Sequence, residues 1–238
     1  MQFGSLHIHS NNSFDGKISI GKIKELFSKK GFTFIILTEH SESFEDSKSW
    51  DSFFEEVKKN SDKDFLIIPG IEYNFNDGLH ILVFGQNKYL QIKNEEDIAL
   101  LNKSENIFSI VAHPVSPRRQ FRYDCFDGIE IYNKRYDGLS GIRTSNLFLA
   151  LGKLNKNFTV GLDFHKYSDF QVQGIVLNST KLEKTEIIKK LKSGMYKNFI
   201  RFSESETLIF NGVINLVDII YLFSFTYWKR LISKIKTI

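Results

Sequence analysis

Cysteine is almost absent from this 238-residue chain, with Cys125 standing alone. One thiol excludes an internal disulfide framework and a cysteine-based zinc site. It suits a reducing, cytoplasmic compartment. Proline is scarce (Pro69, Pro114 and Pro117), and no Gly/Ser-rich linker, internal repeat or low-complexity tract divides the chain. The first ten residues carry no basic region and no long apolar stretch, so no secretory signal is expected. Charge of one sign is also lacking. Basic residues number 32 and acidic residues 28, a net charge of +4, too little to argue for nucleic-acid binding. The excess sits in the last ten residues, which hold Lys229, Arg230, Lys234 and Lys236 and no acid. What remains is ordinary for a globular protein: 42% hydrophobic and 25% charged residues. Those values exclude a disordered chain, a collagen-like repeat and a multi-span membrane protein.

Short apolar runs alternate with helix-like stretches. Strands are expected at residues 3–8, 32–37, 65–71, 79–84, 107–112, 128–132, 158–162 and 174–177. Helices are expected at 20–29 (ended by Gly31), 44–59, 94–103, 142–154 and 183–192. This order indicates an α/β protein with a mainly parallel sheet. About seven or eight strands suit a barrel of the β/α type, with an open doubly wound sheet as the competing layout. A barrel would gather functional groups from many strands at one mouth.

The six histidines all fall at ends of expected strands. His7 and His9 close the first strand as H-I-H, and Asp15 follows in S-F-D-G. Residues two apart on a strand share a face, so the two imidazoles form a natural metal pair. His40 follows the second strand in T-E-H, and Glu72 follows the third in G-I-E. His80 opens a strand in H-I-L-V-F, His113 ends one in A-H-P, and Asp163 and His165 follow another in G-L-D-F-H. A single histidine beside a strand is more often a core or capping residue than a ligand. Six of six at strand ends, with carboxylates and two alternating pairs, fit that reading poorly. Histidine with carboxylate and without cysteine suits zinc, manganese or iron.

The ordered set H-I-H-S…D-G, T-E-H, G-I-E, H-I-L, A-H-P, G-I-E-I-Y-N and G-L-D-F-H resembles the PHP (polymerase and histidinol phosphatase) family of metal-dependent phosphoesterases. The resemblance runs from about His7 to His165. It implies a distorted (β/α)7-type barrel with two to three divalent ions (manganese, zinc or iron) at the C-terminal strand ends. It also implies that His7, His9, Glu72 and Asp163 surround one ion, and that Glu72 bridges to a second held by His80 and His113. Asp15, His40 and His165 would hold a third. Two features depart from the family's pattern. Glu39 stands where the family usually has aspartate, and the large Leu162 and Phe164 flank Asp163. Phe164 alternates with the ligands and should face the barrel wall.

Adjacent divalent ions lower the pKa of a shared water and bind phosphate oxygens, so a metal-bound hydroxide could attack phosphorus. No serine triad or reactive cysteine is required, and Cys125 reads as an inert packing residue. Guanidinium matches phosphate bidentately. Arg118, Arg119 and Arg135, on segments that begin near the mouth, are therefore the substrate-binding candidates. Arg122, Arg143, Tyr132 and Asn133 are weaker ones.

The chain divides on this reading into a catalytic barrel, residues 1–211, and a basic amphipathic helix, residues 212–238. Val213, Leu216, Val217, Ile220, Phe223, Tyr227, Leu231 and Ile235 recur at helical spacing. The apolar part is short for a membrane span. The helix could pack on the barrel, lie on an anionic membrane surface, making the protein peripheral there, or form a dimer interface. The expected activity is hydrolysis of a small phosphomonoester or nucleotide. An exonuclease acting on nucleic-acid ends is the alternative, disfavoured by the neutral body. A non-catalytic metal-binding module is the third reading.

Overall fold

The computed structural model describes residues 1–75, 78–114, 122–154 and 156–235. In chain order these form β1 (Gln2–Ile8), α1 (Ile20–Lys29), β2 (Phe34–Leu37), β3 (Glu39–His40), α2 (Ser47–Asn60), β4 (Leu66–Ile68), β5 (Gly70–Phe75) and β6 (Leu79–Phe84). Then follow α3 (Glu95–Leu101), β7 (Phe108–Ala112), β8 (Gly128–Asn133), α4 (Lys134–Asp137), α5 (Thr144–Leu151), β9 (Asn157–Gly161) and β10 (Gln173–Leu177). The chain ends with α6 (Lys184–Lys192), β11 (Tyr196–Ser203), β12 (Glu206–Asn211) and α7 (Leu216–Ile235).

Local chemistry sets the boundaries. In α1, Ile20, Ile23 and Phe27 fall on one buried stripe, and Gly31 takes a left-handed φ of 86° just beyond the end. The second helix starts at Ser47 rather than 44 because Asp46 caps it: its side chain accepts from Ser49 N, and Ser49 Oγ reciprocates. Asn94 and Asp97 form the same box at α3. The expected strand over 65–71 is two strands, broken at Pro69, which has no N–H to give to a ladder.

The strands form two six-stranded sheets, in the orders β12-β11-β10-β1-β2-β4 and β3-β5-β6-β7-β8-β9. Thr38 alone separates β2 from β3, and Pro69 alone separates β4 from β5, so the chain passes from the first sheet to the second twice. On the other side Ile8 makes an isolated parallel bridge to Phe164, with Phe164 N donating to His7 O and His9 N to Phe164 O. The expected closed ring of strands is therefore replaced, among the described residues, by two sheets joined through breaks and a bridge. The expected mainly parallel pairing is corrected too. β1–β2, β2–β4, β3–β5, β7–β8 and β8–β9 are parallel. β1–β10, β10–β11, β11–β12, β5–β6 and β6–β7 are antiparallel. Too few residues separate Phe75 from Leu79, or Ser203 from Glu206, for a parallel crossover.

Three apolar clusters hold these layers. One packs Ile20, Ile23 and Phe27 of α1 and Trp50 and Phe53 of α2 against Ile35, Ile71 and Phe164. A second seats Ile187, Ile188 and Leu191 of α6 against Phe34, Phe84 and Phe108. The third packs α5 and α7 on β8 and β9 through Leu147, Ile219, Leu222, Ile129 and Phe158. Full burial of each such side chain contributes about 1.5–3 kcal/mol. No helix among the described residues is long and apolar enough to cross a membrane.

Candidate metal centre

The strand ends named from sequence meet at one cleft. Glu72, on β5, is its hub. Its Oε2 lies 3.3 Å from His7 Nε2, 3.2 Å from His9 Nε2 and 3.3 Å from His40 Nδ1. Its Oε1 lies 2.7 Å from His80 Nδ1 and 3.3 Å from His113 Nε2. Asp163 Oδ1 is 3.7 Å from His7 Nε2, and its Oδ2 is 3.9 Å from His113 Nε2. Asp15 spans the rim, 3.3 Å from His40 Nε2 and 3.0 Å from His165 Nε2. His80 reaches this mouth although it begins its strand. β6 runs antiparallel to β5 and pairs His80 with Asn74, so the start of one strand lies at the end of the other.

Four overlapping groups of potential ligand atoms result: His7 with His9 and Glu72, His7 with His113 and Asp163, Glu72 with His80 and His113, and His9 with His40 and His165. Asp163 groups with His7 and His113, and its Oδ1 also lies 3.4 Å from His165 Nδ1 and 3.8 Å from His9 Nε2, while His9 stacks between His40 and His165 at 4.3 Å from each ring.

Three of these residues sit in the left-handed backbone region: His7 (φ 63°), Asp163 (φ 54°) and His113 (φ 25°). That region is uncommon outside glycine, and such conformations collect at functional sites. His7 coincides with an irregular register between Ser5 and Ile8 on β1. The simple alternation that pairs His7 with His9 is therefore bent there. Their rings still lie 5.3 Å apart.

Behind these candidate ligands stands a layer that sequence reasoning only partly named. Glu130, inside the G-I-E-I-Y-N motif but given no role, is buried on β8. Its Oε1 meets His7 Nδ1 at 3.0 Å, and its Oε2 accepts from His113 N at 2.7 Å and from Asn133 Nδ2 at 2.8 Å. One carboxylate thus turns His7 Nε2 toward the cleft and anchors the strained backbone of His113. Gly161 on β9 makes room for it, since a Cβ there would fall 1.5 Å from Glu130 Oε1. The signal was an acid at the centre of the short apolar run at residues 128–132. Glu39 reaches His9 through Ser13. It accepts from Ser10 N at 3.0 Å and Ser13 Oγ at 2.6 Å, and Ser13 Oγ lies 3.3 Å from His9 Nδ1. Phe164 and Leu162 are fully buried, and Phe164 packs edge-on against Phe27 of α1.

Burial and charge oppose each other here. Burial disfavours a proton on His7, but Glu130, Glu72 and Asp163 outweigh it and hold its pKa well above the ordinary value. Burial dominates at His9 and lowers it to about 4. Burial pushes Glu39 up to about 7. Against the same desolvation, the surrounding imidazoles hold Glu72 well below the carboxylate range and Asp163 below it too.

The arrangement fits divalent ions. His9 Nε2, His165 Nε2 and Asp15 Oδ1 are buried without a hydrogen-bond partner, although carboxylate oxygens or imidazoles lie within 4 Å. Buried lone pairs converging on common centres, with no donor to satisfy them, are what a cation satisfies.

The cleft above them has a volume of about 210 Å3 and is lined also by Phe14, Arg135 and Tyr136. Arg135 is half exposed, with Nη1 3.3 Å from His165 Nδ1 and 3.8 Å from Asp163 Oδ1. Arg118 and Arg119 lie outside the described residues. Arg143 is tied to Asp137 at 2.8 Å. Tyr132 is a core residue whose hydroxyl donates to Gly138 O, and Asn133 braces Glu130, so neither lines the cleft. Phe14, stacked 4.9 Å from His40, and Tyr136, 4.6 Å from His113, are aromatic walls that the sequence did not single out.

The family model of the PHP domain matches residues 5–198, most of the chain. The chain belongs to the PHP family, and it is a metal-dependent hydrolase by class. No curated protein matches it. Among solved structures, PsfC from Pseudomonas syringae PB-5123 is similar in fold at a TM-score of 0.60, with 12% identity over 97% of this chain and 98% of that one. A Bifidobacterium adolescentis protein described as a metal-dependent phosphoesterase aligns at a TM-score of 0.49, with 13% identity over 81% of this chain and 96% of that one. An amidohydrolase from Chromobacterium violaceum aligns at 0.44, with 12% identity over 71% and 89%.

Proposed function

We propose that this hydrolase is a phosphoesterase acting on a small phosphomonoester or nucleotide. The observation that carries the reading is the cleft of about 210 Å3 lined by His40, His80, His113, His165 and the carboxylates of Asp15, Glu72 and Asp163, with the buried His7 and His9 in contact with Glu72 beneath it. That volume suits a phosphoryl group and a modest leaving group more than a polymer. The two sheets, joined at Thr38, Pro69 and the Ile8–Phe164 bridge, support a distorted barrel as the scaffold. Residues 1–211 would form the catalytic unit and 212–238 an added helix.

His7, His9, Glu72, Asp163, His113 and His80 would hold two divalent ions, with Glu72 between them, and Asp15, His40 and His165 a third. Manganese, zinc and iron all suit this donor set. Such ions supply Lewis acidity toward phosphate oxygens and make water nucleophilic at neutral pH. Glu130 holds His7 and His113 in place, and Ser13 with Glu39 holds His9. Arg135 stands at the open side, where its guanidinium can take phosphate oxygens facing away from the ligands. Phe14 and Tyr136 wall the cleft and limit its water.

The test is metal analysis of the purified protein, then a phosphoester panel run with manganese, zinc and iron. The reading requires bound metal and turnover of at least one small phosphomonoester or nucleotide. Metal-loaded protein that hydrolyses none of the panel overturns it.

A further inference from the structure

The outer face of α7 is built the wrong way round for a solvent-facing helix. One side of α7 is buried through Ile219, Leu222 and Thr226, and Phe223 meets Phe148 of α5. The opposite side presents Val217 (74% exposed), Ile220, Tyr221, Tyr227, Trp228 (60% exposed) and Ile232 to solvent. At 3.6 residues per turn these positions share an arc of roughly 140°. The remaining exposed side chain described within it, Ser224, is uncharged and donates to Ile220 O. Surface helices ordinarily place charge on that arc. The charged side chains described on this helix turn back to the body: Asp218 accepts from Asn215 N, Lys229 pairs with Glu206, and Arg230 reaches Thr144 and Ile142 O. Phe148 and Leu151 of α5 are also exposed. A contiguous apolar surface of this kind marks an interaction site.

We propose that α7 docks flat on the surface of an anionic phospholipid bilayer. The face is an apolar ridge, not a groove, and it mixes branched aliphatic residues with two tyrosines and a tryptophan. That composition suits the boundary between acyl chains and headgroups. Charge selects the lipid. Of the four basic residues among the last ten, Lys229 and Arg230 turn to the body, and the sequence beyond the ridge adds Lys234 and Lys236 and no acid, which favours anionic headgroups. As described, the helix is not long and apolar enough to cross a bilayer, so the proposed docking places it in the interface. Docking also sets the metal cleft beside the membrane. Tyr136, which lines that cleft, also lines a neighbouring one of about 670 Å3 together with Tyr227 and Leu231 of α7.

The experiment uses the full chain with vesicles of phosphatidylcholine alone or mixed with phosphatidylglycerol, some carrying brominated acyl chains. Expected are co-sedimentation with the phosphatidylglycerol vesicles that weakens as salt rises, and quenching of Trp228 by bromine. Trp50, the other tryptophan, is fully buried and out of reach. The double variant Ile220→Glu, Trp228→Glu should lose at least about tenfold in partitioning. Its melting temperature and its activity on a soluble substrate should stay unchanged, since both side chains are exposed. Met195→Glu, an exposed apolar residue off the ridge, should bind like the parent. The proposal is overturned by absence of binding to phosphatidylglycerol vesicles, by equal binding of the double variant, or by a lipid-independent dimer that the double variant dissociates.

Discussion

The mouth and the flank of this molecule are stabilised in opposite ways. At the mouth, three residues hold left-handed backbone, buried carboxylates face buried imidazoles, and several polar atoms lack partners. Along the flank, α7 is regular, reciprocally capped by Asn215 and Asp218, and seated on apolar neighbours. Left-handed backbone at a non-glycine residue costs of order 1–3 kcal/mol, and desolvated charge adds to that. The apolar clusters beneath must offset both. The difference teaches where each region's tolerance lies. The mouth depends on geometry imposed from behind, whereas the flank depends on local rules that any well-capped helix obeys.

The largest test of this contrast is at the proposed ligands. The double variant His7→Ala, His9→Ala should keep its far-ultraviolet circular dichroism and lose phosphoesterase activity by well over about a hundredfold, more than an outer-layer change costs. Full activity in that variant would sink the proposed function. Next is the support itself. Phe164→Ala removes the ring that packs behind Asp163 and His165 against Phe27 and should cost about 3–5 kcal/mol in denaturant unfolding. A cost under about 1 kcal/mol would mean the mouth does not lean on that cluster.

Glu130→Gln keeps the shape but weakens the contacts to His7 and His113. Metal affinity should fall about 10–100-fold while unfolding changes little. Equal affinity would remove Glu130 from the support layer. A pH experiment sharpens the same point. Carboxylates hold the pKa of His7 above its ordinary value in the metal-free protein. Protonated His7 therefore stabilises the fold fully below about pH 6.5, and that contribution is lost as pH rises through its folded value. Metal needs the neutral ring. Added manganese should then raise the melting temperature more at about pH 8 than at about pH 6, and the reverse order would contradict the assignment. The smallest effect belongs to a region of local rules. Asp46→Ala removes the cap of α2 and should cost about 1 kcal/mol without altering metal binding.

Much of the fold was legible because burial leaves a periodic trace. Ile20, Ile23 and Phe27 announce α1, and the apolar run at residues 34–37 announces β2. The hairpin of β11 and β12 was not foreseen. Its turn, Glu204-Ser205, lacks the Asn-Gly or Asp-Gly signal of a tight hairpin, and Lys197 and Arg201 interrupt the run on its exposed face. The antiparallel course of β6 was likewise hidden, because an apolar run reads the same in either direction. At the site, each histidine could be named from its place at a strand end. Glu130 could not, because its role rests on Gly161 leaving room for it across two strands.

The sequence by itself determined which donor atoms this protein owns and that they lie at strand ends, since residue type and periodicity are local properties. It showed apolar residues recurring along α7, but not that Ile219 and Leu222, rather than Val217 and Ile220, would face the body. Tertiary structure decided which donors share a centre, that Glu72 is the hub and His9 the neighbour of His40 and His165, and that only one side of α7 is covered. Those outcomes depend on distances between elements far apart in the chain, set by how the sheets join and what packs behind them.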